Sequence, residues 1–174
     1  MLFSLSHICV AILTINGVDP SHKTYETRLK TCVSVVDAAN KNSIDPSLFA
    51  SISWVESGFF PNVTSRAGAK GPLQVIPKYF CPRKRAKGCD LIAAGVKAWK
   101  AWSARSLAKS GLNVSQEARW AKALCHYNNG NTCYSSGKRY ARRILNLRSS
   151  VFLFQKLSTP PYPGIGAGSD GGIP

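Results

Sequence analysis

Glu56, in the stretch Ser53-Trp54-Val55-Glu56-Ser57-Gly58-Phe59, is the residue best placed to do chemistry. Counting back by four and seven gives Ile52 and Phe49, so the carboxylate lies on or beside an apolar helical stripe. Acidic side chains are rarely buried unless they are paired or used. Withdrawal from water raises a carboxyl pKa toward neutrality, which is the condition a general acid needs. The ordinary alternative is a last-turn acid rotated into solvent, with Gly58 closing the helix. The stretch alone does not separate the two.

The remaining acids narrow the chemistry. The chain has only 8 Asp and Glu against 23 Lys and Arg. Asp45, Asp90 and Glu117 fall at expected helix N-termini, where negative charge is favoured by the macrodipole. Asp19, Glu26 and Asp170 lie in the terminal regions, and Asp37 sits one helix before Glu56. Glycoside cleavage by the usual routes takes two carboxylates. Glu56 has no evident partner, which favours one residue acting first as acid and then as base, with the substrate's own groups supplying the rest. His7, His22 and His126 are scattered and form no metal-ligand pattern, so neither a metal nor a cofactor is expected. A nucleophile elbow and a phosphate-binding glycine loop are both missing.

The elements that must position Glu56 read as helices. Thr24 to Asn40 carries Leu29, Cys32, Val33, Val36 and Ala39 at helical spacing. Asp45-Pro46 supplies an N-cap and first-turn proline for a second helix with Leu48, Phe49, Ile52 and Val55, stopped by Gly58 and Pro61. Residues 62–77 are a Gly/Ser/Thr-rich loop of the kind that brings backbone near a ligand, or an ordinary surface connection. Asp90 caps a third helix, Leu91 to about Lys109, with Ile92, Val96, Trp99 and Trp102 inward and Gly111 beyond its end. Ser115 caps a fourth, carrying Trp120, Leu124 and Tyr127 and broken at Asn128-Asn129-Gly130. A fifth is expected from about Lys138 to Leu147, while Val151 to Leu157 is ambiguous between strand and helix.

Composition sets the frame. A chain of 174 residues with 44% hydrophobic content suits one domain with a real core. A net charge of +15 points to a polyanionic partner: nucleic acid, anionic lipid or an acidic wall polymer. Cys81 and Cys89 enclose seven residues, as do Cys125 and Cys133, and two equal short loops read as local disulfides in an oxidising compartment. Cys9 and Cys32 are left over, and Cys32 reads as a buried free thiol on the apolar face of its helix. Residues 1–20 resemble a signal or anchor segment through Ile8 to Leu13, although the n-region lacks Lys and Arg. The loop between Cys81 and Cys89 holds Arg83, Lys84, Arg85 and Lys87, a run that touches an anionic surface or is simply solvated. From Ser158 to Pro174 a Pro/Gly-rich tail cannot form a core and is expected to be flexible.

Several blocks together resemble the soluble lytic transglycosylase family, the lysozyme-like SLT domain. Ser53 to Phe59 is similar to the family's A-x-x-x-E-S-x-F stretch. Ser65 followed by Gly68-Ala69-Lys70-Gly71-Pro72-Leu73-Gln74-Val75-Ile76-Pro77 resembles G-A-x-G-L-M-Q-x-x-P. His126-Tyr127-Asn128-Asn129-Gly130 matches A-Y-N-A-G at Tyr, Asn and Gly, and Tyr140 to Leu145 resembles the terminal Y-V-x-x-V/I-L helix. Cys89 to Val96 stands where the family has D-P-x-x-N-I-x-x-G. The resemblance covers roughly residues 30 to 150 and implies a mainly α, goose-type lysozyme-like domain over 21–157 with little or no β-sheet.

The same resemblance implies an activity. Glu56 would protonate the oxygen linking N-acetylmuramic acid to N-acetylglucosamine in peptidoglycan, then accept the proton of the muramic C6 hydroxyl as the ring closes to a 1,6-anhydro end. Ser65, Gln74, Tyr127 and Asn128 match positions that bind or orient the sugar, and Tyr140 one that packs near the acid. As ordinary structure, Asn128 would cap a helix and Tyr140 would be core. Pro72-Leu73 in place of Leu-Met, and His126 and Asn129 in place of alanines, depart from the pattern and bear on subsite details. Rival readings are a hydrolytic lysozyme of the same fold, an inactive scaffold, and a nucleic-acid-binding module, for which no recognised motif accompanies the charge, so no specific nucleic acid is expected. The cysteines fit export to the periplasm or cell envelope. The weak n-region and the tail fit a part of a larger envelope or virion assembly.

Overall fold

The computed structural model describes residues 5–108 and 114–158. Seven α-helices and one short 3-10 turn make up the described residues: α1 Leu5–Ile15, α2 Tyr25–Lys41, α3 Pro46–Ser57, α4 Pro77–Phe80, the 3-10 turn Pro82–Lys84, α5 Leu91–Ala108, α6 Gln116–Asn129 and α7 Ser135–Ser158. In place of strands there are two isolated antiparallel bridges, Thr64 with Lys70 and Lys70 with Val75, which fold the 62–77 loop on itself. The fold is the mainly helical lysozyme-like one.

The caps follow the local chemistry. Asp45 accepts a hydrogen bond from the Leu48 amide at 2.7 Å, with Pro46 at the first helical position, so α3 starts where its orphan donors are satisfied. Gly58 ends it in the left-handed region at φ 60°, which glycine adopts without steric cost. Asp90 accepts from the amides of Ile92 and Ala93 at the start of α5, and Ser115 accepts from Ala118 at the start of α6. Asp45 also binds Arg148 of α7 at 2.8 Å, tying the start of the central helix to the last one.

Helix α3 is the hub, packed against α1, α2 and α7. Its residues Leu48, Phe49 and Ile52 enter a core shared with Val35 and Ala39 of α2, Trp99 of α5, Leu124 of α6 and Ile144 of α7. Ala50 and the following Phe59 face a second core built with Ile8, Cys9, Ile12 and Leu13 of α1, Cys32 and Val36 of α2, and Val151 of α7. Burial of side chains this size stabilises by roughly 1.5–3 kcal/mol each. The segment resembling a signal is thus packed in the structure as a wall of the second core. No helix of the described residues is long and apolar enough to cross a membrane.

The structure corrects the cysteine reading. Cys9 and Cys32 are joined, as are Cys81 with Cys89 and Cys125 with Cys133, and no free cysteine remains. The expected buried thiol at Cys32 is a disulfide, because α1 folds back across the helix that carries it. The fifth helix is also longer than expected. It runs unbroken through Val151 to Leu157, and the reason lies in α1: Val151 is fully buried in the core that α1 completes. Lys109, Gly111 and, past Ser158, the tail through Pro174 lie outside the described residues.

Candidate active site

Glu56 occupies the last turn of α3 and faces a cleft of about 530 Å³. Its Oε1 accepts a hydrogen bond of 2.5 Å from the Tyr140 hydroxyl of α7. Burial pushes the carboxyl up to about 7, and the Tyr140 bond pulls in the opposite direction by favouring the ionised form. Both forms of Glu56 are therefore populated near neutral pH. The Tyr127 and Tyr140 phenols are pushed well above their ordinary value, first by burial and then by the adjacent Glu56 charge, so both remain protonated donors.

The loop opposite Glu56 is held to α3 by serines. Ser53 Oγ donates to the Pro72 carbonyl at 3.1 Å, and Ser57 Oγ lies 2.9 Å from the same oxygen. This clamps the Gly71-Pro72-Leu73-Gln74 turn beside the acid. On its far side the turn is held by Tyr127 of α6, whose hydroxyl donates to the Leu73 carbonyl at 2.7 Å. Gln74 has φ 46° and directs its side-chain nitrogen to the carbonyls of Val63 and Gly71 at 3.1 and 2.9 Å. Gly95 of α5 lets this turn approach: a Cβ there would sit 2.3 Å from Leu73 Cδ1.

Ser65, Gln74, Tyr127 and Asn128 all line the cleft with Glu56. Ser65 is engaged within its own loop, accepting from the Ala69 amide at 3.1 Å, whereas Asn128 is exposed at the end of α6. Tyr140 is not among the lining residues and reaches Glu56 from behind. Glu56 is the one carboxylate among the residues that line the cleft. No group of three or more His, Cys, Asp or Glu side chains placed to hold a metal occurs among the described residues.

The structure adds cleft residues that the sequence did not assign to the site: Ile76, Tyr79, Phe80 and Trp102. Trp102 reads as an inward core residue from its spacing after Trp99, and Trp99 is indeed buried. Trp102 instead lines the cleft, stacked on His126 with ring centroids 6.0 Å apart. His126 Nδ1 donates to the Gly130 carbonyl at 2.8 Å, a direction fixed because a carbonyl only accepts. The His126 departure therefore stiffens the Asn128-Asn129-Gly130 rim, which the Cys125–Cys133 disulfide closes from below. The signal for Tyr79 and Phe80 was their place directly after the Gln74-Val75-Ile76-Pro77 block.

The structure thus brings together a half-buried acid in a cleft of about 530 Å³, a tyrosine hydrogen-bonded to it, and a clamped glycine-rich loop. Comparison with curated proteins and with solved structures gave no match. Among protein families, the model described as "Transglycosylase SLT domain" matches residues 34–145, which is more than half of the chain and contains Glu56 and every cleft residue named above. The chain belongs to the transglycosylase SLT domain family, whose domain acts on peptidoglycan.

Proposed function

We propose that this protein is a peptidoglycan lytic transglycosylase with Glu56 as its single acid and base. The observation that carries the reading is a carboxyl poised at about 7 in a cleft lined by no other acid. A general acid is most effective when its pKa lies near the working pH, and a residue that must next act as base needs its ionised form equally accessible. Burial supplies the first condition and the Tyr140 hydrogen bond supports the second.

The steps balance without an added reactant. Protonated Glu56 donates to the glycosidic oxygen, the bond to muramic C1 breaks, and the N-acetyl group stabilises the cationic centre. Ionised Glu56, its charge held by the Tyr140 hydroxyl, then takes the proton of the C6 hydroxyl as that oxygen bonds to C1. The product carries a 1,6-anhydro ring, and Glu56 is protonated again. In this reading Tyr140 is a positioning residue, and Ser65, Gln74, Tyr127 and Asn128 bind or orient the sugar. Gln74 and Tyr127 do so while holding the loop itself. The disulfides and the substrate fit an exported protein acting in the cell envelope or as part of a virion.

Product analysis of digested sacculi is the test. Anhydro ends, lighter by one water than reducing ends, are the expected result. Reducing ends would replace the proposal with a hydrolytic lysozyme of the same fold, and absence of any cleavage would point to a scaffold.

A further inference from the structure

The mechanism leaves unused the most concentrated charge in the chain, the disulfide-closed loop 81–89. Arg83, Lys84, Arg85 and Lys87 are all exposed there. The salt bridges among the described residues lie on other elements, at Lys30–Glu26, Lys41–Asp37 and Arg148–Asp45. Asp90, the acid nearest in sequence, is engaged by the amides of Ile92 and Ala93. The loop's positive field is therefore not cancelled by a neighbouring carboxylate of its own segment.

Two further observations separate this loop from an ordinary solvated run. Arg83 and Lys84 stand in succession in the left-handed region, at φ 56° and 57°. Such a conformation costs a non-glycine residue on the order of 1–2 kcal/mol and persists only where the surroundings impose it. Here the imposing frame is the Cys81–Cys89 bond together with the Lys84 amide donating to the Cys81 carbonyl at 3.1 Å. Long cationic side chains thus occupy the two positions where glycine would cost least. The loop also starts directly after Tyr79 and Phe80, which line the cleft of Glu56, so the chain enters it from the cleft wall.

We propose that loop 81–89 is a docking surface for the carboxylates of the peptide stems that a glycan strand carries past the cleft. The inference rests on the peptidoglycan reading above. It goes further in naming stem-bearing strands as the preferred form of the substrate. A strand seated over Glu56 presents its anionic groups on these stems, outside the sugar chain, within reach of a basic loop that continues from the cleft wall. Charge placed at a rim acts chiefly on encounter rate and register.

The test compares labelled glycan fragments that retain their stems with the same fragments stripped by an amidase, in anisotropy titrations. The full chain is compared with its Arg83→Gln/Lys84→Gln/Arg85→Gln/Lys87→Gln variant. The variant is expected to bind stem-bearing fragments about tenfold more weakly, from several exposed pairs of modest strength, and stripped fragments within about twofold. An Arg85→Gln/Lys87→Gln variant, outside the left-handed pair, should show a smaller loss of the same kind and guards against misfolding of the loop. Equal binding of both fragments by both proteins would overturn the proposal, as would an equal loss on both. Loss confined to walls carrying teichoic acid, or to nucleic acid, would also overturn it by assigning the loop another polyanion. Stem-dependent binding by a protein that cleaves neither fragment would sink the lytic reading and leave the docking surface standing.

Discussion

At the scale of single residues, Glu56 is held between two opposing effects, and its pH behaviour follows. Activity should decline as pH rises through about 7, where the acid form is lost. Glu56→Gln should lower the rate of wall degradation by about a thousandfold or more, read as muropeptide release. Tyr140→Phe removes the bond that favours the ionised form, so the alkaline limb of the pH–rate profile should move to higher pH with a reduced maximum. Stability gives a second readout with a definite sign. Between 4.5 and about 7 the unfolded chain has released the Glu56 proton while the folded chain keeps it, so stability falls as pH rises across that window. The loss is up to about 3 kcal/mol, since each pKa unit corresponds to about 1.4 kcal/mol. Glu56→Gln should therefore be more stable than the parent above this window and little changed below it, in denaturant melts at the two ends. An unchanged difference would show that Glu56 is solvated rather than buried.

At the scale of elements, the site depends on how closely the loop over Glu56 meets α5 and α6. Gly95→Ala would drive a Cβ into Leu73, whose carbonyl receives the Tyr127 hydroxyl and whose neighbour is Gln74. We expect a loss of about 1–3 kcal/mol in thermal unfolding and a fall in activity out of proportion to it, because the clash is with the clamped turn. The Cys9–Cys32 bond acts on a different element. It closes 23 residues of chain, and its replacement by Cys9→Ala/Cys32→Ala should cost about 3 kcal/mol by the loop-entropy account. Since α1 also covers Val151, the same variant should fray the second half of α7, seen as faster amide exchange there. The helix boundaries on α3 and α6 were legible because caps such as Asp45, Gly58 and Ser115 are local chemistry. The extension of α7 was not, because its apolar partner lies more than a hundred residues earlier.

At the scale of the whole molecule, a net charge of +15 makes approach to an acidic wall electrostatic. Raising ionic strength from ~0.01 M to ~0.15 M shortens the Debye length from ~30 Å to ~8 Å. The kcat/KM on sacculi should fall across that range while kcat at saturation holds, as expected when charge governs encounter rather than chemistry. A salt-independent kcat/KM would show that the charge serves something other than the substrate.

The sequence by itself determined the helical class, the place of the candidate acid on the second core helix, and the two short disulfides, since each is written in adjacent or periodic residues. It also set the order of the cleft blocks that carry Ser65, Gln74, Tyr127 and Asn128. Only the tertiary structure decided what surrounds them. It turned Cys32 from a lone thiol into a bridge to α1, and moved Trp102 from the core to the cleft wall. It also brought Tyr140, eighty-four residues away, onto the Glu56 carboxylate. The reason is physical: a cap or a helical face is fixed by neighbours in the chain, whereas the pKa of a buried acid depends on which distant groups exclude water from it.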